Sequence, residues 1–159
     1  MARATSCIVI TGASGFIGTS LSHMLAARGT ALRLVSRFPR RAALGPIEHV
    51  AANLEEERSW DEIIADATAV ILLSARTDLR AAEADPLGDE RINVVPVRNL
   101  VNAARRAARK DLTVVFASTV TVVGDRHTNP VGENTLDNPI STYARHKLVC
   151  ERILGCATR

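Results

Sequence analysis

The sequence predicts an α/β fold with a doubly wound parallel sheet, and three observations predict it. Short runs of Val, Ile and Leu alternate along the chain with longer helical patterns. Apolar residues make up 47% of the 159 positions but aromatics only 3%, so the core must be built from Ala, Val, Leu and Ile. Parallel strands covered by helices on both faces have that composition. The first apolar run also ends in a glycine-rich turn that opens a helix.

Strands are expected at residues 7–11, 31–36, 48–52, 69–74 and 113–118. The helix at 16–28 carries Ile17, Leu21, Met24 and Leu25 at helical spacing and stops at Gly29. A short helix is expected at 59–65 and a long one at 91–109. Pro96 falls within the first turns of the long helix, which leaves open a later start or a local kink. A last helix at 141–156 follows the turn signal Asp137-Asn138-Pro139. The alternation implies right-handed crossovers between parallel strands. Residues 124–140 are polar and rich in turn formers, so they read as an exposed loop. The length fits one domain over 1–159.

The formal charge is +3. Much of the excess lies in Arg37, Arg40 and Arg41, and in Arg105, Arg106, Arg109 and Lys110. The second group ends a predicted helix, where cations suit the dipole, and it reads as a solvated helix end. With so few aromatics there is no platform for stacked bases, and no nucleic-acid partner is expected. Cys7, Cys150 and Cys156 form no CxxC pair, and His23, His49, His127 and His146 have no metal-like neighbour, so no metal site is expected. His146 is read as an ordinary residue, and Trp60 as a packing anchor. An odd cysteine count without a leader fits a reducing cytoplasm. No apolar run approaches the ~20 residues of a membrane span.

The turn Gly12-Ala13-Ser14-Gly15-Phe16-Ile17-Gly18 has the form of a phosphate cradle. Gly12 permits a tight turn, Gly15 lets the backbone approach a pyrophosphate, and Gly18 lets the helix pack closely on the strand. The helix start then offers Ser14, Phe16 and Ile17 backbone N–H groups and a positive dipole end to an anion. At the end of the second strand a carboxylate would mark NAD. Here the residues are Ser36 and Arg37, and arginine suits a 2′-phosphate. NADP(H) is therefore favoured over NAD(H); the alternative is a solvated basic loop.

Tyr143 and Lys147 stand at i and i+4, on one helical face. With Phe116-Ala117-Ser118-Thr119 and Gly124 upstream, the chain resembles the N-terminal part of an extended short-chain dehydrogenase/reductase, the family of NAD(P)-dependent epimerases, dehydratases and ketoreductases. The shared stretches are TGASGFIG (11–18), LLSA (72–75), Asn93-Val94 with Asn99-Leu100, FASTVTVVG (116–124) and YARHK (143–147). Together they span essentially the whole chain in the family's order.

The resemblance implies a Rossmann fold and a role for each matching position. Tyr143 would be the general acid/base. Lys147 would bind the nicotinamide ribose and lower the tyrosine pKa. Thr119 would hydrogen-bond the substrate oxygen, with Ser118 as the neighbouring alternative. Asn53 and Leu54 match the stretch near adenine, and Leu73, Ser74 and Ala75 the stretch along the cofactor's ribose. Asn93 matches a helix asparagine that approaches the cofactor. The chemistry suits these types, because a free phenol titrates near ~10 and a nearby cation favours its ionised form.

Some positions depart from the family pattern: Pro96-Val97 replaces Gly-Thr, Val123 replaces Tyr, and Asn53 replaces the usual Asp. The chain is also about half the family's usual length, so the C-terminal substrate domain is expected to be absent. Self-association or a partner chain would then cover the open sheet edge. The resemblance implies a small-molecule substrate of the nucleotide-sugar class. The competing reading is a dinucleotide-binding module without turnover.

Overall fold

The computed structural model describes residues 7–38, 47–125 and 130–157. In chain order the elements are β1 (Cys7–Thr11), α1 (Phe16–Ala27), β2 (Ala31–Ser36), β3 (Ile47–Ala51), α2 (Ser59–Ile63) and β4 (Ala67–Leu72). There follow α3 (Leu79–Ala84), α4 (Pro86–Asn93), α5 (Val95–Arg106), β5 (Thr113–Phe116), a 3-10 turn (Val120–Val123) and α6 (Thr142–Ala157). The five strands are parallel in the order β3-β2-β1-β4-β5. This is the doubly wound sheet of a Rossmann-like fold. Two compact units make up the chain: Met1–Ala75 with Asn99–Ala117, and Arg76–Arg98 with Ser118–Arg159.

The first unit holds the sheet. β1 lies at its centre, and Val9, Ile10 and Thr11 have no exposure. Ile10, Ala13, Leu32 and Leu34 form a core against which Leu21 and Leu25 of α1 pack. Without aromatic bulk, that core is filled by branched side chains from adjacent strands. Trp60 is fully buried and donates its indole N–H to Leu54 O at 3.0 Å, as a packing anchor would. Buried Asn99 donates to the carbonyls of Glu55 at 3.0 Å and Leu54 at 3.3 Å, fixing the loop after β3. Arg33 on β2 reaches Glu48 at 2.6 Å and Asp66 at 2.7 Å. Burial works against its charge, but these two carboxylates outweigh it and raise its pKa.

Several boundaries differ from expectation. β4 begins at Ala67, two residues early, because buried Ala67 already pairs with Cys7. Leu73 and Ser74 are thereby released from the strand. The predicted helix 91–109 is two helices that break at Val94. Pro96 lies in the first turn of α5, where its missing N–H interrupts no helical bond. α5 ends at Arg106, with Ala108 at φ 51°. Its basic end is not simply solvated. Arg106 pairs with Glu57 and with Asp61 at 2.7 Å, and Arg109 donates to Ile64 O at 2.8 Å and to Ala67 O. Arg40, Arg41 and His127 lie outside the described residues.

The second unit contains α3, α4, the start of α5, the 3-10 turn and α6. α3 was not anticipated, although Asp78 caps it by accepting Ala81 N–H at 3.0 Å. Asp85 caps α4 through Gly88 N–H at 2.9 Å, and Pro86 fills the first helical position. The 3-10 turn ends where the expected loop 124–140 begins. It closes at Gly124 (φ 71°), where a Cβ would lie 2.0 Å from Asn138 O. Glu83 of α3 fixes the start of α6, accepting Thr142 N–H at 2.5 Å and Thr142 Oγ1–H at 2.9 Å.

Candidate active site

The sequence-derived residues fall into both units. In the first unit, the end of β1 turns into α1 through residues 12–15. Gly12 has φ 66°, and a Cβ there would stand 2.8 Å from Ser74 N and 2.9 Å from Ser74 Cα. Only glycine meets both demands. Gly15 donates to Gly12 O at 3.0 Å. Gly18 packs not on the strand but on the turn itself, since its Cβ would lie 2.4 Å from Gly12 O and 2.7 Å from Ala13 Cα. Gly15 caps α1 with no side-chain oxygen, so the first-turn N–H groups keep no capping partner. Ser14, Phe16 and Ile17 are exposed around that helix start. A diphosphate fits this bare, amide-lined turn.

Thr11 is the residue that sequence reasoning missed here. Its fully buried hydroxyl oxygen accepts Leu73 N–H at 3.2 Å, Ser74 N–H at 3.3 Å and Ser74 Oγ–H at 2.9 Å. It ties the end of β1 to the chain leaving β4, which presses Ser74 against Gly12. The Thr11-Gly12 pair was legible, but its partner across the sheet is fixed by the pairing of Thr11 with Leu72. Ser74 thus has its hydroxyl engaged, while Leu73 and Ala75 are half-buried beside it.

At the end of β2, Ser36 is half-buried and Arg37 exposed. Asn53 is engaged locally. Its Oδ1 accepts Glu55 N–H at 3.1 Å and its Nδ2 donates to Glu56 at 3.3 Å, closing an Asx turn. Half-buried Leu54 follows it.

In the second unit, α6 carries half-buried Tyr143 and buried Lys147, whose Nζ lies 5.7 Å from the Tyr143 ring centroid. Burial pushes the Tyr143 phenol up, and Asp89 adds to the rise. Burial pushes the Lys147 ammonium down, opposed by Cys150, Asp89 and Glu151. The expected lowering of the phenol is therefore not built into these residues alone. Thr119 Oγ1 accepts Thr121 N–H at 3.3 Å and lies 2.9 Å from Thr121 Oγ1. Either hydroxyl can be the donor in that pair. Ser118 donates to Glu151.

His146 departs from its sequence reading, and Asn93 is engaged beside it. Asn93 Oδ1 accepts Arg76 N–H at 2.8 Å, and its Nδ2 donates to Arg76 O and to Asp89 Oδ2, each at 3.0 Å. His146 is not an idle position, for its Nδ1 lies 2.7 Å from Asp89 Oδ2. Asp89 and His146 are 57 residues apart, and no local pattern links them. Among the described residues no group of three His, Cys, Asp or Glu could hold a metal ion. No helix there is long and apolar enough to cross a membrane.

A family model described as the NAD dependent epimerase/dehydratase family matches residues 8–158. The chain is similar to D-erythronate dehydrogenase of Haemophilus influenzae, 28% identical over 96% of this chain and 50% of the relative. It is also similar to dTDP-4-dehydrorhamnose reductase of Mycolicibacterium smegmatis, 31% identical over 94% and 42%. Among solved structures, UDP-glucose 4-epimerase from Brucella ovis in complex with NAD superposes with a TM-score of 0.84 at 25% identity. That match covers 95% of this chain and 47% of the other. The chain thus spans about half the length of the curated relatives it matches.

Proposed function

Because the chain belongs to the NAD dependent epimerase/dehydratase family, we propose that it is the dinucleotide-binding and proton-transfer part of an NADP-dependent oxidoreductase. The reading is a ketoreductase or epimerase acting on a nucleotide-linked sugar or related carbonyl metabolite. The observation that carries it is the Gly12–Gly18 turn, where a Cβ at Gly12 or Gly18 would strike backbone within 3 Å. Gly12 and Gly18 let the turn close on itself, and Gly15, whose Cβ would meet nothing nearer than Gly12 O at 3.2 Å, leaves the amide-lined helix start open to a diphosphate. Gly12, Ser14, Gly15, Phe16, Ile17 and Gly18 would hold it. Ser36 and Arg37 would take a 2′-phosphate, for the end of β2 offers no carboxylate. Asn53 and Leu54 would border the adenine, and Leu73, Ser74, Ala75 and Asn93 the ribose side. The dinucleotide, when bound, supplies or accepts a hydride.

The chain's own residues handle the proton. With its pKa raised by burial and by Asp89, the Tyr143 phenol stays protonated near neutral pH. That form suits a proton donor to a substrate oxygen. For the reverse direction it must ionise, and the Lys147 cation 5.7 Å from its ring favours that. The Thr119 hydroxyl donates where negative charge gathers on the substrate oxygen. The three free cysteines suit a reducing, cytoplasmic setting. Val115 is 52% exposed on β5, an edge strand with no second neighbour among the described residues, and a second copy or partner chain would cover it.

Tyr143→Phe tests the mechanism. Turnover should fall by about 10²–10⁴ with the dinucleotide Kd unchanged. An unchanged rate removes Tyr143 from the chemistry. A second reading, a dinucleotide-binding module without turnover, is favoured by the raised pKa of the Tyr143 phenol, which opposes its ionisation. Tight dinucleotide binding with no hydride transfer to any carbonyl substrate would establish it.

A further inference from the structure

Asp89 has no surface exposure, yet it is a carboxylate. Both of its oxygens are engaged. Oδ1 accepts Arg76 Nε–H at 3.1 Å, and Oδ2 accepts Asn93 Nδ2–H at 3.0 Å and lies 2.7 Å from His146 Nδ1. Asn93 closes a two-bond clamp on the backbone of Arg76. Arg76 also donates to Asp85 O at 3.2 Å, which joins it to the cap of α4. A buried charge is costly to desolvate, and an apolar side chain would pack α4 against α6 without that cost. The carboxylate therefore serves a directional purpose, and the direction it takes is toward α6.

His146 lies three residues after Tyr143 and immediately before Lys147. A hydrogen bond from its ring to a fixed acceptor is satisfied over a narrow range of helix rotation. Cys150 adds a second tie on the same helix, with Sγ 3.3 Å from Asn93 O. The charged and titratable groups around Asp89 are Arg76 beyond β4, Glu83 of α3, and Tyr143, His146, Lys147 and Cys150 of α6. Arg76 is the cation fixed directly on it.

We propose that Asp89, acting through His146, is the positioning residue of the Tyr143/Lys147 pair, setting the rotation and depth at which α6 presents the phenol and the ammonium. The proposal rests on the reading of Tyr143 as the proton-transfer group. It is a hub built from Arg76 and Asn93 on one side and the imidazole on the other. Neither Asp89 nor His146 takes part in the proton transfer itself.

Tyr143 is the only tyrosine in the chain, so the absorbance of tyrosinate in alkali reads this phenol alone, with no cofactor or substrate present. At such pH an imidazole is uncharged, which removes histidine's charge from the comparison. His146→Ala deletes the Nδ1 donor, whereas His146→Asn places an amide N–H at similar reach. His146→Ala should move the Tyr143 midpoint down by about 0.5–1 pH unit as water reaches the ring. His146→Asn should hold it within about 0.2 unit of the parent. In turnover, His146→Ala should lower kcat about tenfold with the dinucleotide Kd unchanged, and His146→Asn should recover about half of that loss. Each variant is first matched to the parent by circular dichroism. If His146→Ala does not fold, His146→Gln, whose amide reaches too far, replaces it. No shift in the donor-deleted variant, or the same shift in both variants, overturns the proposal. If the unsubstituted protein shows no turnover, the titration alone decides this proposal.

Discussion

Gly12, Gly29 and Ala108 all sit at positive φ, at 66°, 73° and 51°, yet their surroundings differ. At Gly12 a Cβ meets the Ser74 backbone at 2.8 Å, so strain and collision act together. At Gly29 nothing lies within 4 Å, leaving strain alone. Ala108 already bears the left-handed strain, in the turn where Arg109 N–H reaches back to Ala104 O at 2.9 Å. Gly12→Ala should cost about 2–4 kcal/mol and weaken dinucleotide binding. Gly29→Ala should cost about 1 kcal/mol and leave binding alone. Ala108→Gly should gain about 0.5 kcal/mol, since relief of strain outweighs the added freedom of the unfolded chain. Urea midpoints give the order. Equal losses at Gly12 and Gly29 would mean that crowding by Ser74 is not what reserves Gly12 for glycine.

α6 shows how an element is set by partners far away in sequence. Glu83, 59 residues before Thr142, takes both the N–H and the hydroxyl at the helix start. Those bonds from Thr142 pull the Glu83 carboxyl below its ordinary pKa. A depressed folded-state pKa contributes stability that is present above the ordinary carboxylate range and lost as pH falls through the folded value. Melting temperatures of the parent should therefore fall more steeply than those of Glu83→Gln between about pH 5 and 3. Parallel pH profiles would show that the clamp holds no ionised group. The same distance dependence explains what could be read in advance. β1 and β2 match their predicted bounds because apolar runs and a glycine stop define them locally. α3 and the start of α4 were missed although Asp78 and the Asp85-Pro86 pair are local signals, whereas the interruption left open at Pro96 appears as the break at Val94. The cradle glycines were legible from spacing. Thr11 against Ser74, and Asp89 against His146, were not, since sheet pairing and helix packing bring them together across 63 and 57 residues.

At the scale of the whole molecule, ligand binding is read most directly as stability. A ligand that binds only the folded chain stabilises it by about 2.7 kcal/mol when its free concentration is about 100 times Kd. For a chain of this size that is a rise of roughly 5–10 °C in melting temperature. Trp60 is the reporter, being the only tryptophan, fully buried, and in the same unit as the cradle. NADP+ should raise the Trp60 melting transition more than NAD+ at equal concentration. Arg37→Ala should remove most of that difference by acting on NADP+ alone, because an exposed guanidinium at the end of β2 has a 2′-phosphate to meet and no counterpart on NAD+. The Brucella ovis relative holds NAD, so the opposite preference is a real competitor. If NAD+ stabilises as much or more, the 2′-phosphate assignment falls while the cradle stands. If neither dinucleotide moves the transition at millimolar concentration, the Gly12–Gly18 turn is a packing device, and the oxidoreductase reading loses the contact on which it was built.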